Sequence, residues 1–156
     1  MGIALLEEQK LIYHGVSVIK EKSSRTKLKA GKKLVIQLIE DFNPDVLVVE
    51  RSFFGKSCRS SLLNVLVKKI ETIGKRYLLE ELSYAPTTVR KFICGNGWAS
   101  KKDLSQVIVA IYPELKIYMT QDKKWKERYH QNMFDAVALG LMAIYSKDNR
   151  TGSGKI

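Results

Sequence analysis

Asp45-Val46-Leu47-Val48-Val49-Glu50 is the stretch that decides how the chain folds. It is a near-continuous apolar run of strand length, β-branched at three positions, and it closes on a single carboxylate. Strands that read this way are buried, because alternation with polar residues appears only where one face meets water.

Reading outward from this strand, helices and further strands alternate. Upstream, Leu28, Val35, Leu38, Ile39 and Phe42 recur at helical spacing from Ser24 to Phe42, lysines fill the opposite face, and Asn43-Pro44 stops the helix. Before that, Ile3–Leu6 and Leu11–Ile19 are β-branched runs separated by Glu7-Glu8-Gln9-Lys10, the pattern of an antiparallel hairpin. Downstream, Leu62, Leu63, Leu66, Ile70 and Ile73 predict a helix over Ser60–Tyr77, and Leu78–Tyr84 reads as another strand. Pro86 suits the first turn of a short helix to about Phe92. After the break Gly95-Asn96-Gly97, Ser100 is the expected N-cap of a helix running to Tyr112 and stopped by Pro113. Leu115–Arg128 reads as a loop or edge strand, and the last helix as Asn132 to about Tyr145. The order β-β-α-β-α-β-α-α-α is that of a mixed-sheet α/β domain over residues 1–146, with 147–156 as a flexible C-terminal tail.

The 156 residues are 45% hydrophobic, enough for a buried core in one domain. The chain carries 27 Lys and Arg against 16 Asp and Glu, a formal charge of +11, and a pI near 9.7. Such an excess favours a polyanionic partner, because released counterions drive binding to phosphate backbones. Cys58 and Cys94 are too few and too far apart for a disulfide framework or a zinc site, so both read as thiols of a cytoplasmic protein. No apolar run reaches the length needed to span a bilayer, and no secretory leader is recognisable.

Two acids sit where catalytic groups collect. Glu50 ends the buried strand, although such a carboxylate can also simply emerge into solvent there. Asp135 lies in the first turn of the apolar helix Asn132-Met133-Phe134-Asp135-Ala136-Val137-Ala138, with Asn132 one turn earlier on the same face. It would equally complement the helix dipole. Taken together they fit hard cations, which need oxygen ligands converging from separate elements. His130, five residues before Asp135, is a further catalytic candidate at the helix start.

Four segments resemble the RuvC family of Holliday-junction resolvases in order and spacing. They are Val48-Val49-Glu50-Arg51-Ser52-Phe53-Phe54, Tyr84-Ala85-Pro86-Thr87-Thr88-Val89-Arg90-Lys91, Gly95-Asn96-Gly97-Trp98-Ala99-Ser100-Lys101-Lys102, and Phe134-Asp135-Ala136-Val137-Ala138-Leu139. The resemblance implies an RNase H-like mixed sheet flanked by helices, a homodimer, and cleavage of Holliday junctions or similar branched DNA with Mg²⁺, or Mn²⁺ in its place. It makes Glu50, Asp135 and Asn132 the expected metal ligands, and it sets Phe53 where an aromatic stacks on unpaired bases, unless Phe53 is a core aromatic beside Phe54. Lys101 matches a lysine that neutralises a phosphate, and with Phe53, Lys56, Arg90, Lys91 and Lys102 it makes up the expected DNA contacts.

The pattern is departed from in two ways. The family's first catalytic aspartate lies on a Gly-x-Asp-x-Gly strand preceding a segment that resembles Met1–Leu6, so the expectation is an RNase H-like fold with its N-terminal strand missing, through a start placed too late or a shifted hairpin. Asn132 stands where well-studied members carry Asp or His, and its amide brings no charge. An endodeoxyribonuclease is therefore the leading reading. A catalytically inactive branched-DNA-binding module and a related RNA-processing nuclease are its alternatives. His14 reads as an ordinary hairpin residue, and Leu62, Leu66 and Ile70 as core or a dimer seam.

Overall fold

The computed structural model describes residues 1–51, 58–119 and 124–151. The chain divides into two compact units, one of residues 18–85 and one joining residues 1–17 to residues 86–156.

In the unit of residues 18–85, helix α1 (Ser24–Phe42) begins at N-cap Ser23, whose hydroxyl accepts from the Thr26 N–H at 3.1 Å. It ends at Asn43, which takes a left-handed φ of +43° while its N–H reaches the Ile39 carbonyl. Asn tolerates that conformation better than most residues. Strand β3 (Val46–Glu50) pairs in parallel with β4 (Glu80–Tyr84), Val46 opposite Glu80 and Glu50 opposite Tyr84, and helix α2 (Cys58–Arg76) lies between them in sequence. Parallel strands require such a crossover. Helices α1 and α2 approach closely at Gly31, where a Cβ would come within 2.9 Å of Leu66 Cδ1. Val35, Ile39, Ile70 and Ile73 are buried, while Leu62 and Leu66 are half-buried.

Strand β4 starts two residues later than the apolar pattern predicts. The Leu79 N–H bonds the Gly74 carbonyl and the Leu78 N–H that of Lys75, while Leu78 sits at φ +57°. This is a Schellman cap, and it draws Leu78, 91% exposed, out of the strand and into the end of α2.

In the other unit, β1 (Gly2–Glu7) and β2 (Lys10–Val16) form the expected hairpin, in antiparallel register from Gly2 opposite Val16 to Glu7 opposite Lys10. The described strands form two separate two-stranded sheets, antiparallel β1–β2 and parallel β3–β4, rather than one mixed sheet. Helix α3 (Pro86–Cys94) and helix α4 (Lys101–Ile111) follow the Pro and Ser signals. A 3-10 helix (Pro113–Tyr118) and helix α5 (Lys124–Thr151) replace the predicted loop or edge strand. Lys124–Gln131 is rich in the good helix formers Lys, Glu, Arg and Gln, with Trp125 and Tyr129 among them. Helix α5 packs on the hairpin: a Cβ on Gly140 would lie 2.5 Å from Leu6 Cδ1, and Gly2 abuts the Asn132 carbonyl. Leu104, Ile108, Leu115, Val137 and Leu141 are almost wholly buried and form this unit's core.

Candidate nuclease site

Asp135 is positioned by helix α5, in the turn that follows Gln131. Helical spacing puts Gln131 four residues back on the same face, and its Nε2 donates to Asp135 Oδ1 at 3.2 Å. Gln131 is itself buried and continues the chain of polar contacts. Its Oε1 lies 3.3 Å from the Ser105 hydroxyl, which also donates to the Lys101 carbonyl at 2.9 Å. The first turn of α4 is in this way joined to the acid on α5 by buried and part-buried hydrogen bonds, which fix geometry more firmly than exposed ones.

Burial pushes the Asp135 carboxyl above the usual carboxylate range. The Gln131 hydrogen bond and the charges of Lys101 and Arg90 oppose that rise without cancelling it. A half-buried carboxylate that the fold leaves short of compensation, with a Lys and an Arg within electrostatic reach, suits a cation and a phosphate together. Its oxygens are the donor type that Mg²⁺ takes. Among the described residues no three His, Cys, Asp or Glu side chains gather into a metal-holding group.

The structure brings together three of the residues singled out from sequence: Asp135, Lys101 and Arg90. Lys91 and Lys102 are exposed on the same pair of helices, α3 and α4. Asn132, although one turn from Asp135, is exposed, and the amide that reaches the acid is that of Gln131. His130 and Tyr118 meet at a tilt with ring centroids 4.8 Å apart, and Tyr118 meets His14 edge-on at 5.6 Å. Glu50 is exposed at the end of β3 in the other unit. Beside it Arg51 donates to the Ser83 carbonyl at 3.4 Å. Phe53 and Lys56 lie outside the described residues.

Gln131 and Ser105 were not singled out from sequence. The signal for Gln131 was present in its i,i+4 spacing to Asp135. That for Ser105 was not, because its partner belongs to another helix. Cys94 is a free thiol whose titration burial pushes upward, away from reactivity. No helix among the described residues is long and apolar enough to cross a membrane.

Comparison with known proteins bears on this site. The family model described as "Crossover junction endodeoxyribonuclease RuvC" matches residues 3–142. The RuvC of Christiangramia forsetii is 27% identical over 111 residues, covering 69% of this chain and 58% of that protein. The RuvC of Natranaerobius thermophilus is 27% identical over 103 residues, covering 65% of this chain and 64% of that protein. The chain thus spans under two thirds of the length of these two relatives. Thermus thermophilus RuvC, solved in complex with a Holliday junction substrate, superposes with a TM-score of 0.70 at 17% identity, over 95% of this chain and 87% of that one. The shared fold is RNase H-like α/β.

Proposed function

The chain belongs to the RuvC family of crossover junction endodeoxyribonucleases, and from that premise we propose that it binds Holliday junctions or similarly branched DNA and hydrolyses a phosphodiester bond with a divalent metal ion. The observation that carries this reading is the Asp135 carboxylate, half-buried, hydrogen-bonded by Gln131, and under the field of Lys101 and Arg90. Glu50 and Asp135 are the proposed carboxylate ligands of Mg²⁺ or Mn²⁺, with Asn132 as a neutral oxygen donor and His130 as a candidate proton acceptor. When bound, the metal supplies a polarised phosphate and an acidified water. The residues of this chain orient and neutralise. Gln131 holds one Asp135 oxygen and so limits its rotation. Lys101 and Arg90, with Lys91 and Lys102, place positive charge for the DNA backbone, a task to which the net charge of +11 also contributes. Phe53 and Lys56 complete the proposed contacts. The protein is proposed to act as a homodimer in the cytoplasm, where a four-way junction offers two symmetric strands to two copies of one site.

The test is a synthetic four-way junction against a duplex of the same arm sequence. Selective binding in EDTA, and cleavage once Mg²⁺ or Mn²⁺ is added, are expected. Glu50→Gln and Asp135→Asn are expected to keep binding and lose cleavage, and light scattering is expected to give twice the chain mass. Junctions left intact in both ions would refute the enzymatic reading; equal affinity for junction and duplex would refute the branched-DNA reading.

A further inference from the structure

Trp98 is 89% exposed. An indole is among the largest apolar surfaces a residue offers, and near-complete exposure of one forgoes most of the burial gain that usually keeps it inside. A lone exposed apolar residue on a mobile loop would call for no explanation. Trp98 is not of that kind, because the turn carrying it is tied down on every side.

Gly95 takes φ +73°, a conformation side chains rarely adopt, and so reverses the chain after α3. Asn96 Oδ1 accepts from the Trp98 N–H at 3.0 Å, and the Asn96 carbonyl from the Ala99 N–H at 3.1 Å. Gly97 is pressed against α3 so closely that a Cβ would stand 3.1 Å from the Thr87 carbonyl oxygen and 3.7 Å from Lys91 Cβ. Ala99 is buried. Ser100 and Asp103 then lock the start of α4 with a reciprocal capping box. The indole is therefore presented outward by a rigid turn.

Its surroundings are cationic. Lys91 on α3 and Lys101 and Lys102 on α4 are exposed beside the turn. The acid of the same segment, Asp103, is engaged by the Ser100 hydroxyl and N–H, which hold its carboxyl below the usual range. Aromatic faces interleaved with lysines are how proteins hold unpaired nucleic acid: the cations track the backbone, and the ring stacks on a base.

We propose that Trp98 is a base-stacking contact, its indole lying on an unpaired base of DNA whose phosphates Lys91, Lys101 and Lys102 hold. This deepens the proposed nuclease reading and rests on it for the identity of the ligand. It adds a second aromatic, on the unit that carries Asp135, to the one expected at Phe53.

Three variants test it: Trp98→Ala, Trp98→Phe, and Trp125→Phe, which leaves Trp98 as the sole tryptophan of the two in the chain. The probes are oligothymidylate of about 16 nucleotides, a synthetic four-way junction and a fully paired duplex, all in EDTA. Trp98→Ala is expected to weaken oligothymidylate and junction binding by about tenfold, the effect of one lost base–aromatic contact, and to leave duplex binding within about twofold. Trp98→Phe is expected to retain most of the affinity. Fluorescence of the Trp125→Phe protein is expected to be quenched as oligothymidylate saturates it. The salt dependence of Trp98→Ala is expected to match the parent, since no phosphate contact is removed.

Oligothymidylate binding unchanged in Trp98→Ala would overturn the proposal. So would an equal loss on duplex and single strand, which would mean packing on the sugar-phosphate backbone, or an altered mass in light scattering, which would mean a protein interface. Melting curves confirm that each variant is folded, as full exposure of the side chain predicts. A parent protein that binds the junction no better than duplex, while oligothymidylate still quenches Trp98, would refute the branched-DNA reading and leave the stacking contact supported.

Discussion

Replacing Asp135 by Asn keeps the shape of the side chain and the oxygen that accepts from Gln131 at 3.2 Å, and removes the charge. Desolvation is the largest influence on this carboxyl and raises its pKa, outweighing the opposing hydrogen bond and the charges of Lys101 and Arg90. The fold therefore disfavours the ionised form, and Asn relieves that cost while forfeiting the two attractions. Relieving a strained functional group commonly gains about 0.5–2 kcal/mol; with the attractions lost, about 1 kcal/mol is expected, or about 2–4 °C in Tm for a chain of this size. The sign with pH follows from linkage. Because the folded pKa is raised, the cost is absent below the carboxylate range of the unfolded chain and develops as the pH rises through the folded pKa. The variant's advantage should thus be near zero in acid and full at neutral pH. Thermal and urea unfolding in EDTA across that range measure it. Junction cleavage by the same variant should fall by more than the roughly 10- to 100-fold that loss of a mere supporting partner of a metal site costs. An Asn variant less stable than its parent at neutral pH, or one whose advantage is as large in acid, would refute the assignment of Asp135 as a carboxylate ionised at a burial cost.

Other expectations are local. Ser100→Ala removes the hydroxyl that accepts from the Asp103 N–H at 3.1 Å and should lower stability by about 1 kcal/mol, read from urea midpoints at constant slope. Leu78→Gly should raise stability by roughly 0.5–1 kcal/mol, because Leu78 is 91% exposed and held at φ +57°, so little packing is lost when the strain is relieved; an equal or lower Tm would count against the Schellman cap. Lys101→Ala and Arg90→Ala should each reduce the slope of log affinity against log salt by about 1 if each meets a phosphate, and salt titrations of junction binding read this directly.

Much of the fold could be read from local pattern because the elements concerned satisfy themselves locally. The Ser24–Phe42 helix was bounded correctly by its apolar period and by Asn43-Pro44, and the structure adds the Ser23 cap and the left-handed Asn43. Strand Val46–Glu50 announced itself by its unbroken apolar run, but its apolar residues are half-buried rather than buried and Glu50 is exposed. The pattern failed where another principle prevailed. At Leu78, apolar character suggested a strand, but its bond to the Lys75 carbonyl and that of the Leu79 N–H to Gly74 bind this turn to the helix end. At Lys124–Gln131 charged residues outnumber the two aromatics Trp125 and Tyr129, so the apolar period that marks the later part of α5 is weak there. His14 looked unremarkable because its partner Tyr118 is remote in sequence and lies on a 3-10 turn that no periodicity marks.

The candidate site divides along the same line. A carboxylate on the apolar part of a helix is visible in sequence; what holds it is not, because i−3 and i−4 neighbours both share its face. Asn132 attracts attention by occupying a place where the family carries Asp or His. Yet Asn132 is exposed while Gln131 is 9% exposed and donates to the acid. The choice between the two is made by the rest of the unit. Ser105 on α4 offers a buried hydroxyl that Gln131, not Asn132, meets, and Gly2 brings β1 against the Asn132 backbone. A buried amide must satisfy both its ends, and Gln131 does so with Ser105 on one side and Asp135 on the other. Asn132, by contrast, is exposed, and it is the residue proposed above as a neutral oxygen donor to a metal ion or its bound water. The two neighbours thus differ in what the fold makes of them: Gln131 holds Asp135, while Asn132 faces solvent, where the proposed ligand role would place it.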